Sequence, residues 1–379
     1  MTNQHTESLK SNSRLLSLDA LRGFDMFWII GGEFLFSAFF VFSGWSGWLW
    51  FDDQMKHSQG HGFTAYDLIF PLFIFLSGIT LGLSAKCITD LDFKARLPTY
   101  RKAVFRLFLL LSFGVLYNHG WGTGLPAAED IRYASVLGRI AFAWFFAFLL
   151  VYHTQLRTQI FWVIGILVGY SSLQLCAPLM NSELSQFDPE TSINAWIDSH
   201  FLPGQIYQQK SYDPEGLLST LPAICNALFG FFVGQYLIRM AANSKIKVAI
   251  VLTLIGVVIL GLGWLIDMVI PVNKDLWTSS FVLVSVGWSV LIFSLFYMLV
   301  DVLGFKKLVF PFVVIGCNAI IVYLASSLIN WKYTSNSLFG QLITNTAPYA
   351  QPLMATVTLL LVQWLVLWWL YQRKIFIRT

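Results

Sequence analysis

The stretch VAIVLTLIGVVILGLGWLIDMVI, residues 248–270, carries a single charge, Asp267, and is preceded by Lys245 and Lys247. A bilayer hydrocarbon core about 30 Å thick is crossed by roughly 20 apolar residues of α-helix. A helix of this kind is at home in lipid, so these residues set the fold class. The same length test picks out further segments at 20–42, 66–85, 103–117, 136–152, 159–176, 216–238, 277–299, 308–329 and 352–371. The chain therefore reads as an all-α polytopic membrane protein with about ten transmembrane helices in one bundle. Composition agrees, with 56% hydrophobic and 12% charged residues, where a soluble chain carries roughly a quarter charged. The 15 Trp and 14 Tyr suit belts at the two membrane interfaces.

Lys and Arg accumulate in cytoplasmic loops. With ten spans, eighteen of the 24 Lys and Arg fall on the side of both termini, five on the other, and Arg139 inside the fourth segment. Both termini are thus expected in the cytoplasm. The outer side takes the long connections at 43–65 and 177–215 and a shorter one at 118–135. The expected organisation is a disordered cytoplasmic tail at 1–13 and one transmembrane domain at 14–379. The first 19 residues hold no apolar signal-peptide core, so the first helix is expected to act as its own insertion signal. Cys87, Cys176, Cys225 and Cys317 lack the spacing of a metal site or disulfide framework and read as core residues.

Ionisable groups within the spans cost on the order of 3 kcal/mol and face the bundle interior, with a partner or a task. They are Asp25, Glu33, Asp67, Arg139 and Asp267. Arg22 and Asp25, three apart on one helical face, can neutralise each other. Glu33 is expected about 12 Å further along the same helix, deeper toward the outer side. Arg139 has no partner nearby in sequence, and a buried guanidinium suits a phosphate or carboxylate.

The histidines are asymmetric: His57, His61, His119 and His200 fall on the outer side, His153 on the inner and His5 in the tail. Histidine is the usual general base near neutrality. His57 and His61 stand in KHSQGHGFTAYD, residues 56–67, where the chain returns to the bilayer; His119 stands in the polar cluster YNHGWGTG, residues 117–124. His57 and His61 have zinc-like spacing, but Gly60 and Gly62 oppose a helix and no third ligand is apparent, so no metal is expected.

The block KHSQGHGFTAYDLIFPLFIFLSG, residues 56–78, closely resembles the heparan-α-glucosaminide N-acetyltransferase family. RLLSLDALRG at 14–23, SYDPEGLLST at 211–220, IPVNKDLW at 270–277 and GCNAIIVYL at 316–324 match the same pattern in order. The resemblance implies transfer of acetyl from cytoplasmic acetyl-CoA to the amine of a glucosamine or glucosaminide across the membrane. It also implies the NagX type of bacterial member, in the inner membrane. The family's catalytic histidine maps onto His57, and where the family has an active-site asparagine in its first catalytic helix this chain has Glu33.

An amino sugar is largely an ammonium ion at neutral pH and must lose a proton before it attacks a thioester. His57 could take that proton as general base, oriented by Glu33, Asp67, Asp213 or Glu215, or could carry the acetyl group itself. Asn273, Lys274 and Asn318 are candidate oxyanion donors, and Asp25, His61 and His119 further substrate-binding candidates. Arg22, Arg101, Lys102, Arg106, Arg139 and Arg239 are candidates for the phosphates of CoA. The partners expected are a small amino sugar and the lipid bilayer, with no nucleic acid; homo-oligomers stay open. The alternative is a proton-coupled amino-sugar or N-acetylglucosamine carrier, which buried Asp25, Glu33 and Asp67 would suit, although a histidine on an outer re-entrant loop is more natural for an enzyme.

Overall fold

The structure, a computed structural model, describes residues 15–84, 92–120, 122, 124 and 126–376. The tail expected at 1–13, with Arg14, Lys86, Cys87 and Arg378, lies outside the described residues. Fifteen α-helices follow in order: α1 Leu16–Ile29, α2 Leu35–Ser43, α3 Gly47–Gln54, α4 Ile69–Ser84, α5 Phe93–His119, α6 Val136–His153, α7 Leu156–Met180 and α8 Ile193–Phe201. Then come α9 Thr220–Arg239, α10 Lys245–Asp267, α11 Ser279–Tyr297, α12 Lys306–Gly316, α13 Ala319–Leu328, α14 Trp331–Thr344 and α15 Gln351–Gln372. No strand occurs among the described residues, only two isolated bridges, Arg132 with Gly204 and Ser185 with Ser192.

Seven helices are long and apolar enough to cross a membrane, and two bent pairs bring the total to nine. The segment expected at 103–117 lies within α5, which is not among the nine; its first half carries Lys94, Arg96, Arg101, Lys102 and Arg106. The first expected span is not one rod, because α1 and the segment Gly32–Ser43 meet at 62°. Gly31 causes the break, with a φ of 126° that side chains rarely adopt. Glu33 therefore sits on a turn past the end of α1, not further along it. The ninth expected span is broken likewise, α12 and α13 meeting at 57°. Three short helices, α3, α8 and α14, fall in segments read as connections.

Burial runs opposite to a soluble protein. The opening stretch, in α10, is the most apolar span and only 22% buried, because its surface faces lipid; α4 is 78% buried. Helices in lipid associate through close packing of small residues rather than through expulsion of water. A Cβ on Gly78 would stand 2.0 Å from the Ala227 carbonyl oxygen of α9, and one on Gly230 2.0 Å from that of Phe75. Any larger residue would force α4 and α9 apart, and α4 carries the site described next.

Candidate active site

His57 lies in the loop between α3 and α4. The motif Thr64-Ala65-Tyr66-Asp67 makes a capping box, in which the Thr64 side chain and Asp67 carboxylate cap the 3₁₀ turn that opens α4. Asp67 is fully buried there. Its Oδ2 accepts from the Ser58 and Thr64 amides at 3.2 Å each and from the Thr64 hydroxyl at 3.0 Å. Its Oδ1 meets His57 Nδ1 at 2.8 Å and Lys274 Nζ at 3.4 Å. Of the four carboxylates eligible from sequence to orient His57, Asp67 is the one in hydrogen-bond contact with the ring.

Lys274 Nζ also lies 2.8 Å from His57 Nδ1 and 3.2 Å from Nε2. Nδ1 has one in-plane hydrogen bond to make. We assign it as an N–H donated to Asp67, since a buried carboxylate deprived of a donor costs more than a lysine contact forgone. Nε2 is then an acceptor. Burial holds the Lys274 amine below its usual range, against the opposing pull of Asp67, Glu215 and Asp275.

Further contacts stitch the histidine loop to the turn before α11. The Gly62 amide donates to the Val272 carbonyl at 2.8 Å, and His61 Nδ1 is 3.3 Å from the Asn273 amide nitrogen. Asn273 in turn accepts from the Leu276 amide at 3.0 Å. Asp267 caps this region by accepting from the Val272 amide at 2.7 Å. Trp277 closes it, its amide donating to the Lys274 carbonyl at 3.1 Å with a φ of 52°. That left-handed conformation costs a residue other than glycine on the order of 1 to 3 kcal/mol. Glu33 reaches the cluster through a hydrogen bond with Tyr66, whose ring centroid is 4.8 Å from that of His57.

Arg132 organises the neighbouring wall. Its fork grips Asp213 at 2.8 and 2.6 Å and also reaches Glu215, while its guanidinium lies 4.6 Å from the Tyr207 ring centroid. Burial alone would raise the Asp213 carboxyl, but the Arg132 fork outweighs it and holds Asp213 below the usual carboxylate range. His119 Nε2 accepts from the Arg132 amide at 2.9 Å, so this histidine supports Arg132 rather than facing His57.

A cavity of about 1800 Å³ is lined at this end by His57, Tyr66, Lys274 and Glu215. The same cavity is lined at the other end by Arg22, Arg106, Lys245 and Lys306. The thirteen helical rises of α4's span from Asp67 to Thr80, which bonds Arg22, separate the ends by about 20 Å.

The remaining candidates fall elsewhere. Arg22 pairs with Asp19 at 3.7 Å rather than with Asp25, whose Oδ2 is buried with no partner. Arg101 and Lys102 on α5 and Arg239 at the end of α9 are exposed and do not line the cavity. Arg139 does not line it either and packs against Trp277 and Phe70. Asn318 sits at the α12–α13 break, donating to the Ile375 carbonyl at 3.0 Å rather than facing His57. His200 stacks on Trp196 at 4.7 Å. The sequence reading missed Tyr66, Arg132, Lys245 and Lys306 as site residues. The capping pattern Thr-x-x-Asp before an apolar run was the available signal for Asp67 over its rivals.

These features define a multi-pass α-helical membrane protein with a His–Asp–Lys cluster at one end of a long cavity and cations at the other. No family model matches the chain. It is 24% identical over 422 residues to heparan-alpha-glucosaminide N-acetyltransferase of Mus musculus, covering 97% of this chain and 60% of that protein. The Homo sapiens protein of the same name is 25% identical over 419 residues, covering 96% and 59%. The chain thus spans about three fifths of the length of these relatives, and the similarity supports its membership of the heparan-alpha-glucosaminide N-acetyltransferase family.

Proposed function

We propose that this protein acetylates an amino sugar at the histidine end of the bundle, using acetyl-CoA that docks at the basic end. The supporting observation is the single cavity that carries both sets of residues on its wall. The cations there fit the donor's phosphates. Arg106 stacks on Trp144 at 4.0 Å and keeps a buried Nε without a partner, as a side chain awaiting an anionic ligand would. The basic end is the cytoplasmic one on the count of loop charges, and the histidine end faces the periplasm of a bacterial inner membrane.

In this reading His57 Nε2 removes a proton from the acceptor ammonium, and Asp67 holds the imidazolium that forms. The freed amine attacks the acetyl carbonyl, and Lys274 donates to the oxygen that becomes negative. Collapse breaks the carbon–sulfur bond. Of the two protons lost by the nitrogen, one goes to the departing thiolate and one to solvent, so turnover releases one proton net. Acetylation of His57 itself would use the same nitrogen, and mass analysis after exposure to acetyl-CoA alone separates the routes.

The test is made in sealed vesicles of known orientation. Acetyl-CoA on the face of Arg22 and Lys306 and glucosamine on the face of His57 should give N-acetylglucosamine, and His57→Ala should give none with unchanged melting. Product formed only when both substrates share one face would overturn the two-ended mechanism. Glucosamine uptake without acetylation would make the protein a carrier instead.

A further inference from the structure

Arg139 lies one turn inside α6, 2% exposed; among the described residues no carboxylate pairs with it directly, and Glu215, Asp213 and Asp198 act on it only from longer range. Nη2 donates to the Ser219 hydroxyl, while Nε and Nη1 are buried without partners. Its surroundings are aromatic: the guanidinium carbon is 4.7 Å from the Trp277 ring centroid and 5.8 Å from that of Phe70. A guanidinium enclosed at this depth is costly unless its charge is used. Against the face of an indole it is used.

Trp277 is the keystone of the turn that presents Lys274. It is 1% exposed, its indole N–H donates to Asn226 at 3.1 Å, and its ring meets Phe70 and Phe281 with centroids 5.0 Å away in each case. Its left-handed backbone closes the turn on the Lys274 carbonyl. Such a conformation persists only where the surroundings over-determine it. The indole N–H meets Asn226 and the ring packs on Phe70 and Phe281, all neutral, and among the described residues Arg139 supplies the one cation over the ring.

We propose that Arg139 is a positioning residue whose guanidinium, stacked on Trp277, fixes the left-handed turn that holds Lys274 against His57. Its effect on turnover rests on the acetyltransferase reading, whereas its effect on geometry does not. Burial in the turn holds the Lys274 amine below its usual range, against the pull of Asp67, Glu215 and Asp275, so the amine reports whether the turn is in place.

The experiment labels purified full-length protein with a water-soluble amine reagent across neutral to alkaline pH and quantifies Lys274 by peptide mass against an added unstructured lysine peptide. In the parent protein Lys274 should reach half of its plateau labelling at lower pH than the lysine of that peptide. Arg139→Gln should bring the two profiles together and lower kcat by about tenfold or more with both KM values unchanged, the pattern of a lost transition-state contact. Arg139→Lys, which keeps a cation over the ring, should retain the parental profile. An unchanged Lys274 profile in Arg139→Gln, with or without a lower melting temperature, overturns the proposal. A merged profile in a protein without acetyl transfer upholds it and removes the acetyltransferase reading alone. Should Arg139→Gln fail to fold, Trp277→Phe, which reduces the ring and removes its N–H, is read by the same two outcomes.

Discussion

His57 is exposed, and its chemistry is set by a neighbour that is not. Asp67 accepts three donors on Oδ2, which leaves only Oδ1 for the ring. In Asp67→Asn the amide oxygen must face those three donors, so the NH₂ group faces Nδ1. The imidazole is then forced into the tautomer that carries its proton on Nε2, where it cannot act as a base. We expect kcat to fall by about 10³- to 10⁴-fold with little change in melting, as tautomer inversion does elsewhere. Steady-state kinetics check this, and a rate within about tenfold of the parent would mean that Asp67 does not orient the base. At this scale the sequence was half legible. His57 stood out by its place beside a returning span, and Lys274 by a charge next to Asn273. Asp67 was one of four eligible carboxylates, because which acid meets the ring depends on how a loop and a 3₁₀ turn face each other, and no periodicity encodes that. Arg22 was read as the partner of Asp25 because spacing on a helix is visible and rotamers are not.

Among the elements, the expected spans other than the one at 103–117 were legible and their interruptions were not. Length and apolarity locate residues 248–270 without ambiguity, but the bend at Gly31 is a backbone event within an unbroken apolar run, and hydropathy passes over it. The short helix α8 was hidden in the long connection at 177–215, and it brings a titrating group of its own. Asp198 on α8 accepts from the Leu217 and Asp213 amides at 2.9 and 3.2 Å. Burial, only partly offset by these bonds, pushes its carboxyl up to about 6. The folded protein therefore binds this proton more tightly than the unfolded chain, whose ordinary value is about 3.9. Stability from this group is greatest below that ordinary value and is lost as pH rises through about 6, a difference of about 3 kcal/mol. Asp213 acts in the opposite sense: its lowered value gives stability above the ordinary carboxylate range that is lost on acidification below it. Acidifying from neutrality to about pH 5 should thus protect the 181–219 segment from proteolysis. Asp198→Asn should remove most of that pH dependence; an equal dependence in the variant would place the titrating group elsewhere.

The cavity is a property of the whole molecule, and no local pattern announced it. It is lined by α1, α4, α5, α6, α9, α10, α11, α12 and α13 together, and the basic residues at the end remote from His57, Arg22, Arg106, Lys245 and Lys306, are a subset of a charge bias that topology alone accounts for. Ser77 lies on its wall midway along α4, its hydroxyl turned back to the Ile74 carbonyl at 2.6 Å. Ser77→Trp should plug the passage, lowering acetyl transfer by about tenfold or more, equivalent to about 1.4 kcal/mol, while His57 and Lys274 stay in place. Turnover assays and Lys274 labelling check it together, and parental turnover would show that the donor does not pass that point. Between the two charged ends the wall carries Met26, Phe73, Leu110, Leu137 and Ile140, with Ser77 among them. Apolar side chains of that kind hold water weakly, and a stretch without water stops hydrated ions. An uncharged, slender acyl arm gives up far less hydration than an ion does on entering such a stretch. If the donor's arm follows this wall as proposed, the passage sorts by solvation rather than by diameter, and a membrane holding this hollow protein keeps the gradient across it.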